Sequence, residues 1–169
     1  LLDSPEQALL IIVIWKDIEH QGGGTFMAPD SIAPVAKLLA AHPEGLEPGD
    51  PLWRDIPGQC NEFVEVTAKA GDVFLLNPFM LHASSPNHSG MPRFMTNPYL
   101  GLKEPLNFNR ENPDDFSIVE RSILKALGVD RLDYQITSER RNIVPARIEK
   151  QRKMLEEEKA RIASEQSGD

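Results

Sequence analysis

The sequence predicts a mainly β domain with flanking helices, and three observations predict it. Ala8 to Trp15 is an unbroken apolar run rich in Leu, Ile and Val, the composition of a strand covered on both faces. Short apolar runs at Val73 to Leu76 and Phe79 to Ser84 are set between turn signals at Gly71-Asp72 and Pro86-Asn87. Helical periodicity is confined to three separate stretches, Ser31 to Ala41, Ser117 to Gly128, and the segment after Pro145. A length of 169 residues with 40% hydrophobic content allows one domain with a real core plus an appendage. Acidic residues outnumber basic ones by 26 to 18, and the net charge of -8 is the wrong sign for a nucleic-acid surface, so no nucleic-acid partner is expected. A single cysteine, Cys60, excludes an internal disulfide and suits a reducing, cytoplasmic setting. The longest apolar run is too short to span a bilayer, so no membrane partner is expected either.

Along the chain, Ala8 to Trp15 is the first strand. His20 follows it in a stretch dominated by Gly22-Gly23-Gly24, where turn chemistry accounts for the glycines and a solvated turn accounts for the histidine. The glycines lack the G-x-G-x-x-G or G-K-S/T context of a phosphate-binding loop. Ser31 to Ala41 is a helix with Ile32, Val35, Leu38 and Leu39 on one stripe, ended by Pro43 and Gly45. His42-Pro43-Glu44 carries metal-ligand residue types, but a histidine at a helix C-terminus is favoured by the dipole without any metal, and proline makes a poor ligand strand. The Pro- and Gly-rich stretch from Pro43 to Cys60 around Trp53 is a long loop of the kind that forms a pocket lid. Phe63 to Thr67 resumes strand alternation.

From Phe79 to Ser84 side chains alternate, which places Met80, His82 and Ser84 on one face. Ser85 to Gly90 is dense in turn residues and leads to a strand from Arg93 to Leu100, with Arg93, Met95 and Asn97 sharing a face. Read from the residues alone, His82 fits a hydrogen-bonded core histidine and Arg93 a surface salt bridge. A guanidinium facing a cavity, however, needs a planar anionic partner, and a dicarboxylate is one.

Leu106 to Asp115 is a polar connector. Ser117 and Glu120 form a possible capping box for a helix striped by Val119, Ile123, Leu124 and Leu127 and closed by Gly128. From Pro145 a helix carries Ile148, Leu155 and Ile162 at heptad spacing, with Glu149–Lys153 and Glu157–Arg161 pairs. One stripe is too thin for a coiled coil, and a solvated or partner-covered helix fits better.

The run from Gly71-Asp72 through His82-Ala83-Ser84 and a Pro-Asn turn to an arginine eleven positions after the histidine resembles the phytanoyl-CoA dioxygenase family of Fe(II)/2-oxoglutarate oxygenases. Ala8 to Pro29 resembles the same family's apolar strand, Gly-rich turn and pocket strand, so the likeness covers about the first hundred residues. The resemblance implies a double-stranded β-helix (jelly-roll, cupin-like) barrel over residues 1–105, a helical extension packed on it over 106–144, and the solvated helix over 145–169. It implies that His82 is the last iron ligand, that Ser84 touches 2-oxoglutarate, and that Arg93 binds the distal carboxylate. Trp15 and Thr25 become neighbours of the pocket. The implied cofactors are Fe(II) and 2-oxoglutarate, and the implied partners are O2 and a small-molecule or acyl substrate whose identity is not readable.

The family's first two iron ligands form an H-x-D motif upstream of the strand matching Ala8 to Lys16, and no H-x-D occurs in this chain. Leu1 lies only a few residues before that strand, so the expectation is a sequence that begins inside the domain, an incomplete barrel with open edges, and a chain that alone is inactive and prone to self-association. The intact protein would be a dioxygenase. A non-catalytic barrel acting as a binding protein, or a halogenase variant, remains the alternative. A hydrolase built on His82 and Ser84 is poorer, because no carboxylate has strand spacing to orient the histidine. The oligomeric state is left open.

Overall fold

The computed structural model describes residues 1–141 and 146–166. Residues Leu1–Ser138 form one compact unit and Glu139–Asp169 a second. The first unit holds six strands and two α-helices: β1 (Leu10–Ile14), β2 (Thr25–Ala28), α1 (Ile32–Ala41), β3 (Val64–Glu65), β4 (Val73–Leu76), β5 (Leu81–Ser84), β6 (Met95–Thr96) and α2 (Ile118–Leu127). The strands make two three-stranded sheets, ordered β4-β1-β6 and β3-β2-β5, and every pairing is antiparallel. The mainly β character with flanking helices is what forms. A closed double-stranded barrel is not, because among the described residues each sheet stops at three strands and keeps two open edges.

The strands are shorter than their sequence patterns. Arg93 to Leu100 contracts to Met95–Thr96, with Pro92 before it and Pro98 after it removing ladder donors. Pairing nevertheless resumes at both ends, through Trp15 N–H to Phe94 O (2.9 Å) and Ala8 N–H to Leu100 O (2.8 Å). In β1 the period of two is obeyed: Leu10, Ile12 and Ile14 are buried and join Ile18 and Leu76 in an apolar cluster. The opposite face, expected to be covered too, is not. Val73 and Leu75, paired with Val13 and Ile11 on that face, are 54% and 63% exposed.

A second cluster lies around the helices, where α1 contributes Val35, Ala36 and Leu39, α2 contributes Val119, Ile123 and Leu124, and the connector contributes Phe108 and Phe116. Helix α2 thus packs on α1, with Phe79 and Leu81 at the start of β5 packed against the same cluster. Ser31 does not cap α1 with its side chain. Its fully buried hydroxyl accepts the Leu81 N–H at 2.8 Å, which fixes the entry of β5 against the start of α1. The Pro43 to Cys60 loop is ordered by two 3-10 turns, Pro51–Asp55 and Pro57–Gln59. In the second unit, α3 (Ala146–Gln166) exposes Met154, Leu155 and Ile162. Pro145, expected at its start, lies outside the described residues.

The capping box forms as the sequence predicts: Ser117 Oγ accepts the Glu120 N–H at 3.2 Å, Glu120 Oε2 accepts the Ser117 N–H at 2.7 Å, and Gly128 closes α2 at φ 74°. Glu120 does more than cap. Its buried carboxylate also accepts the Asn107 N–H (2.7 Å) and a bidentate pair of bonds from Arg110 (3.2 and 2.9 Å), tying the connector to the helix. Burial alone would raise its pKa, but the Arg110, Asn107 and Ser117 donors outweigh that and hold it below the ordinary value.

Replacing Glu120 by Ala leaves Arg110 without its buried partner and two backbone donors, of Asn107 and Ser117, short of an acceptor, so unfolding free energy should fall by about 3–5 kcal/mol in urea denaturation. A depressed folded pKa gives stabilisation that is complete above the unfolded value of 4.5 and lost as pH drops through the folded one, so the native protein's advantage over the variant should shrink below that pH.

Candidate functional site

The antiparallel register of β2 and β5 sets Ser84 opposite Thr25 and His82 opposite Met27, which places all four on one face of the second sheet. That face looks toward the first sheet, because the buried Thr25 hydroxyl donates to Met95 Sδ of β6 at 4.0 Å. Met27, Met80 and Met95 are partly buried there against the β1 cluster. That face therefore carries a polar row of Thr25, Ser84 and His82, with the thioethers packed nearby.

His82 is exposed within this row. Its Nδ1 lies 3.0 Å from the Met80 carbonyl oxygen, which can only accept, so the Nδ1 carries the proton. In the neutral ring the Nε2 lone pair is then left free, the state that a metal-binding histidine with a carbonyl partner adopts. Among the described residues no group of three His, Cys, Asp or Glu side chains could hold a metal ion. His82 offers one imidazole, and the two-histidine, one-carboxylate set of an oxygenase iron is not completed by the described residues. The His42–Glu44 pair does not complete it: His42 is the C-cap residue of α1, and its Nδ1 is 2.8 Å from Glu44 Oε1.

Arg93 comes from the other sheet. It stands two residues before Met95, on the same side of its strand, and its Nη1 donates to Gly23 O (2.6 Å) and Gly24 O (3.2 Å). These carbonyls belong to the turn that feeds Thr25 into β2. Arg93 is half-buried and makes no ion pair among the described residues. Thr25, Ser84 and His82 thus share one sheet face and Arg93 is tied to the turn before Thr25, while the cavity beside Arg93 is lined by residues other than these three. Trp15 lies away from both. It falls on the opposite face of β1 from Ile14, is 63% exposed, and gives its indole N–H to Thr96 Oγ1 at 3.1 Å. The alternation that turns Ile14 inward turns Trp15 outward.

Glu65, on β3, carries no motif of its own, yet it anchors the turn before β2. Its carboxylate accepts the Gln21 N–H with both oxygens (3.1 and 3.0 Å), the Ser85 hydroxyl at 2.8 Å, and the exposed His20 at 2.7 Å. The Gln21 amide, the Ser85 hydroxyl and His20 hold its pKa below the usual carboxylate range, against some desolvation. His20 is the solvated turn residue the sequence predicts, and it also anchors this carboxylate. The glycines beside it are required by close approach. Gln21 and Gly23 have φ of 57° and 77°, and a Cβ on Gly24 would press into the Val66 carbonyl oxygen.

The sequence profile of the phytanoyl-CoA dioxygenase family matches residues 5–95, a span that contains Thr25, His82, Ser84 and Arg93. No curated protein and no solved structure matches the chain. No helix among the described residues is long and apolar enough to cross a membrane. Since the profile runs over more than half of the 169 residues, and over both sheets, the chain belongs to the phytanoyl-CoA dioxygenase family, whose members are in general Fe(II)- and 2-oxoglutarate-dependent oxygenases.

Proposed function

We propose that this chain supplies the 2-oxoglutarate seat and one imidazole ligand of an Fe(II)- and 2-oxoglutarate-dependent oxygenase that hydroxylates a small-molecule or acyl substrate. The observation that carries the reading is Arg93: a half-buried guanidinium, fixed through one nitrogen to two carbonyls and lacking a counter-ion among the described residues. Such a group, tied to the turn that leads into the strand pairing with Ser84 and His82, fits the far end of a dicarboxylate. Iron, when bound, would supply dioxygen activation: O2 would take two electrons from 2-oxoglutarate, which loses its 1-carboxylate as CO2 and leaves succinate, and two from the substrate C–H bond.

The chain's own residues would bind and orient. Arg93, held from behind by Gly23 and Gly24, presents its remaining N–H groups to the distal carboxylate, and Ser84 donates its hydroxyl to the same end. His82, with its Nδ1 proton committed to Met80, keeps Nε2 as an acceptor. Met27, Met80 and Met95 pack nearby with polarizable apolar surface, which limits water around the row. The described residues do not fit a complete iron centre, and that favours a second reading for the chain taken alone: a barrel-type sheet pair that binds dicarboxylate without turning it over.

Two measurements separate these readings. In NMR titrations of the full chain with 2-oxoglutarate, Arg93→Ala should weaken binding about a hundredfold, about 3 kcal/mol, by leaving a carboxylate without its partner. Unchanged affinity would remove Arg93 from the site. Mixed with Fe(II) under anaerobic conditions and desalted, the 169-residue chain should retain no stoichiometric iron, and on exposure to oxygen it should release no succinate, since one imidazole cannot hold the metal against water. Retention with turnover would mean that other ligands exist, with His42 and Glu44 the first to replace.

A further inference from the structure

Lys16 has no role in the reading above, yet it shares a cavity with Arg93. Leu10, Ile12 and Ile14 form the inward series of β1, and Lys16 follows two residues after the strand ends, in a bend. The β1–β6 register places Val13 opposite Thr96 and Ile14 opposite Met95. The Trp15 N–H to Phe94 O bond at 2.9 Å carries the pairing one step further, toward the segment that holds Arg93.

Both residues line one cavity of about 240 Å³, together with Ser89. Two cations at one cavity repel each other, and neither makes an ion pair among the described residues. The acidic groups at the cavity do not resolve this. Asp17 is engaged by Lys69 Nζ (2.9 Å) and the Ala70 N–H (2.8 Å), and Glu19 is an exposed side chain in the field of that same Lys69. A half-buried like-charge pair facing a cavity is a place where an anion gains twice.

We infer that Lys16 is a second cationic contact for the carboxylate that Arg93 takes, so that the terminal carboxylate of a dicarboxylate sits between an ammonium and a guanidinium. This rests on the 2-oxoglutarate reading and adds to it a residue outside the stretch that carries His82 and Arg93. The two groups complement each other: the guanidinium fixes the plane of the carboxylate, while the ammonium, a compact charge on a flexible stem, follows an oxygen lone pair that the fork leaves open. Binding also removes the repulsion that the empty pair imposes, so the ligand should raise the melting temperature.

The test uses the full 169-residue chain and succinate, a dicarboxylate that needs no metal, in NMR titration and thermal unfolding. Lys16→Gln should weaken succinate binding about tenfold and lose most of the succinate-induced rise in Tm, while its ligand-free Tm stays at or above that of the native chain. Lys16→Arg should keep the binding. If Lys16→Gln binds succinate as the native chain does while Arg93→Ala loses it, the inference falls and the 2-oxoglutarate reading stands. If neither variant changes binding, both fall. Inorganic phosphate binding as tightly as succinate would overturn the dicarboxylate assignment. Should the Gln variant fail to fold, Lys16→Met keeps the apolar stem and decides the point, with native-like succinate binding counting against the inference.

Discussion

The Gln21–Gly24 turn is clasped from two sides, and the candidate site depends on that clasp. On its donor side Glu65 takes the Gln21 amide with both oxygens, and on its acceptor side Arg93 takes the carbonyls of Gly23 and Gly24. A buried turn must find partners for its peptide groups, and here the partners are side chains of opposite charge from different sheets. The Ser85 N–H to Gly24 O bond (2.9 Å) and the His88 N–H to Gln21 O bond (2.8 Å) add the end of β5 to the same knot. Thr25 follows the turn directly, and Ser84 is its register partner, so the position of the polar row is inherited from the clasp.

A guanidinium held in this way has already lost much of its rotamer freedom on folding. An anion that meets it need not order a long side chain, and more of the charge-assisted bonding appears as affinity. The helical half makes a parallel provision for β5. The Ser31 hydroxyl and the Asn77 side chain, which accepts the Phe79 N–H at 2.8 Å, set the strand's entry point, and from there alternation alone puts His82 and Ser84 on one face.

Much of this was legible in the sequence because it is local. Period-two alternation gave the face shared by His82 and Ser84, the Ser117–Glu120 spacing gave the capping box, and the Gly-rich stretch gave the turn. What was not legible depends on partners far apart in sequence. Glu65 and Gln21 are forty-four residues apart and Trp15 and Thr96 eighty-one, and no local pattern announces either pair. Lys16 is predicted only as the end of the first strand, because its meaning comes from the cavity it shares with Arg93, far away in sequence. Trp15 was set near the pocket by resemblance, and the pleat puts it on the other side. The covering of β1 on both faces was inferred from an apolar composition that is correct, yet composition says only that a face is fit to be buried.

That uncovered face has a thermal consequence. Trp15, Val73, Leu75 and Phe94 are each more than half exposed, on strands whose sheet also keeps open edges. Attraction between such surfaces is entropic near room temperature, so it strengthens on warming and fades in the cold. Contacts made through this face would therefore loosen on ice and tighten toward body temperature, opposite to contacts held by enthalpic hydrogen bonding.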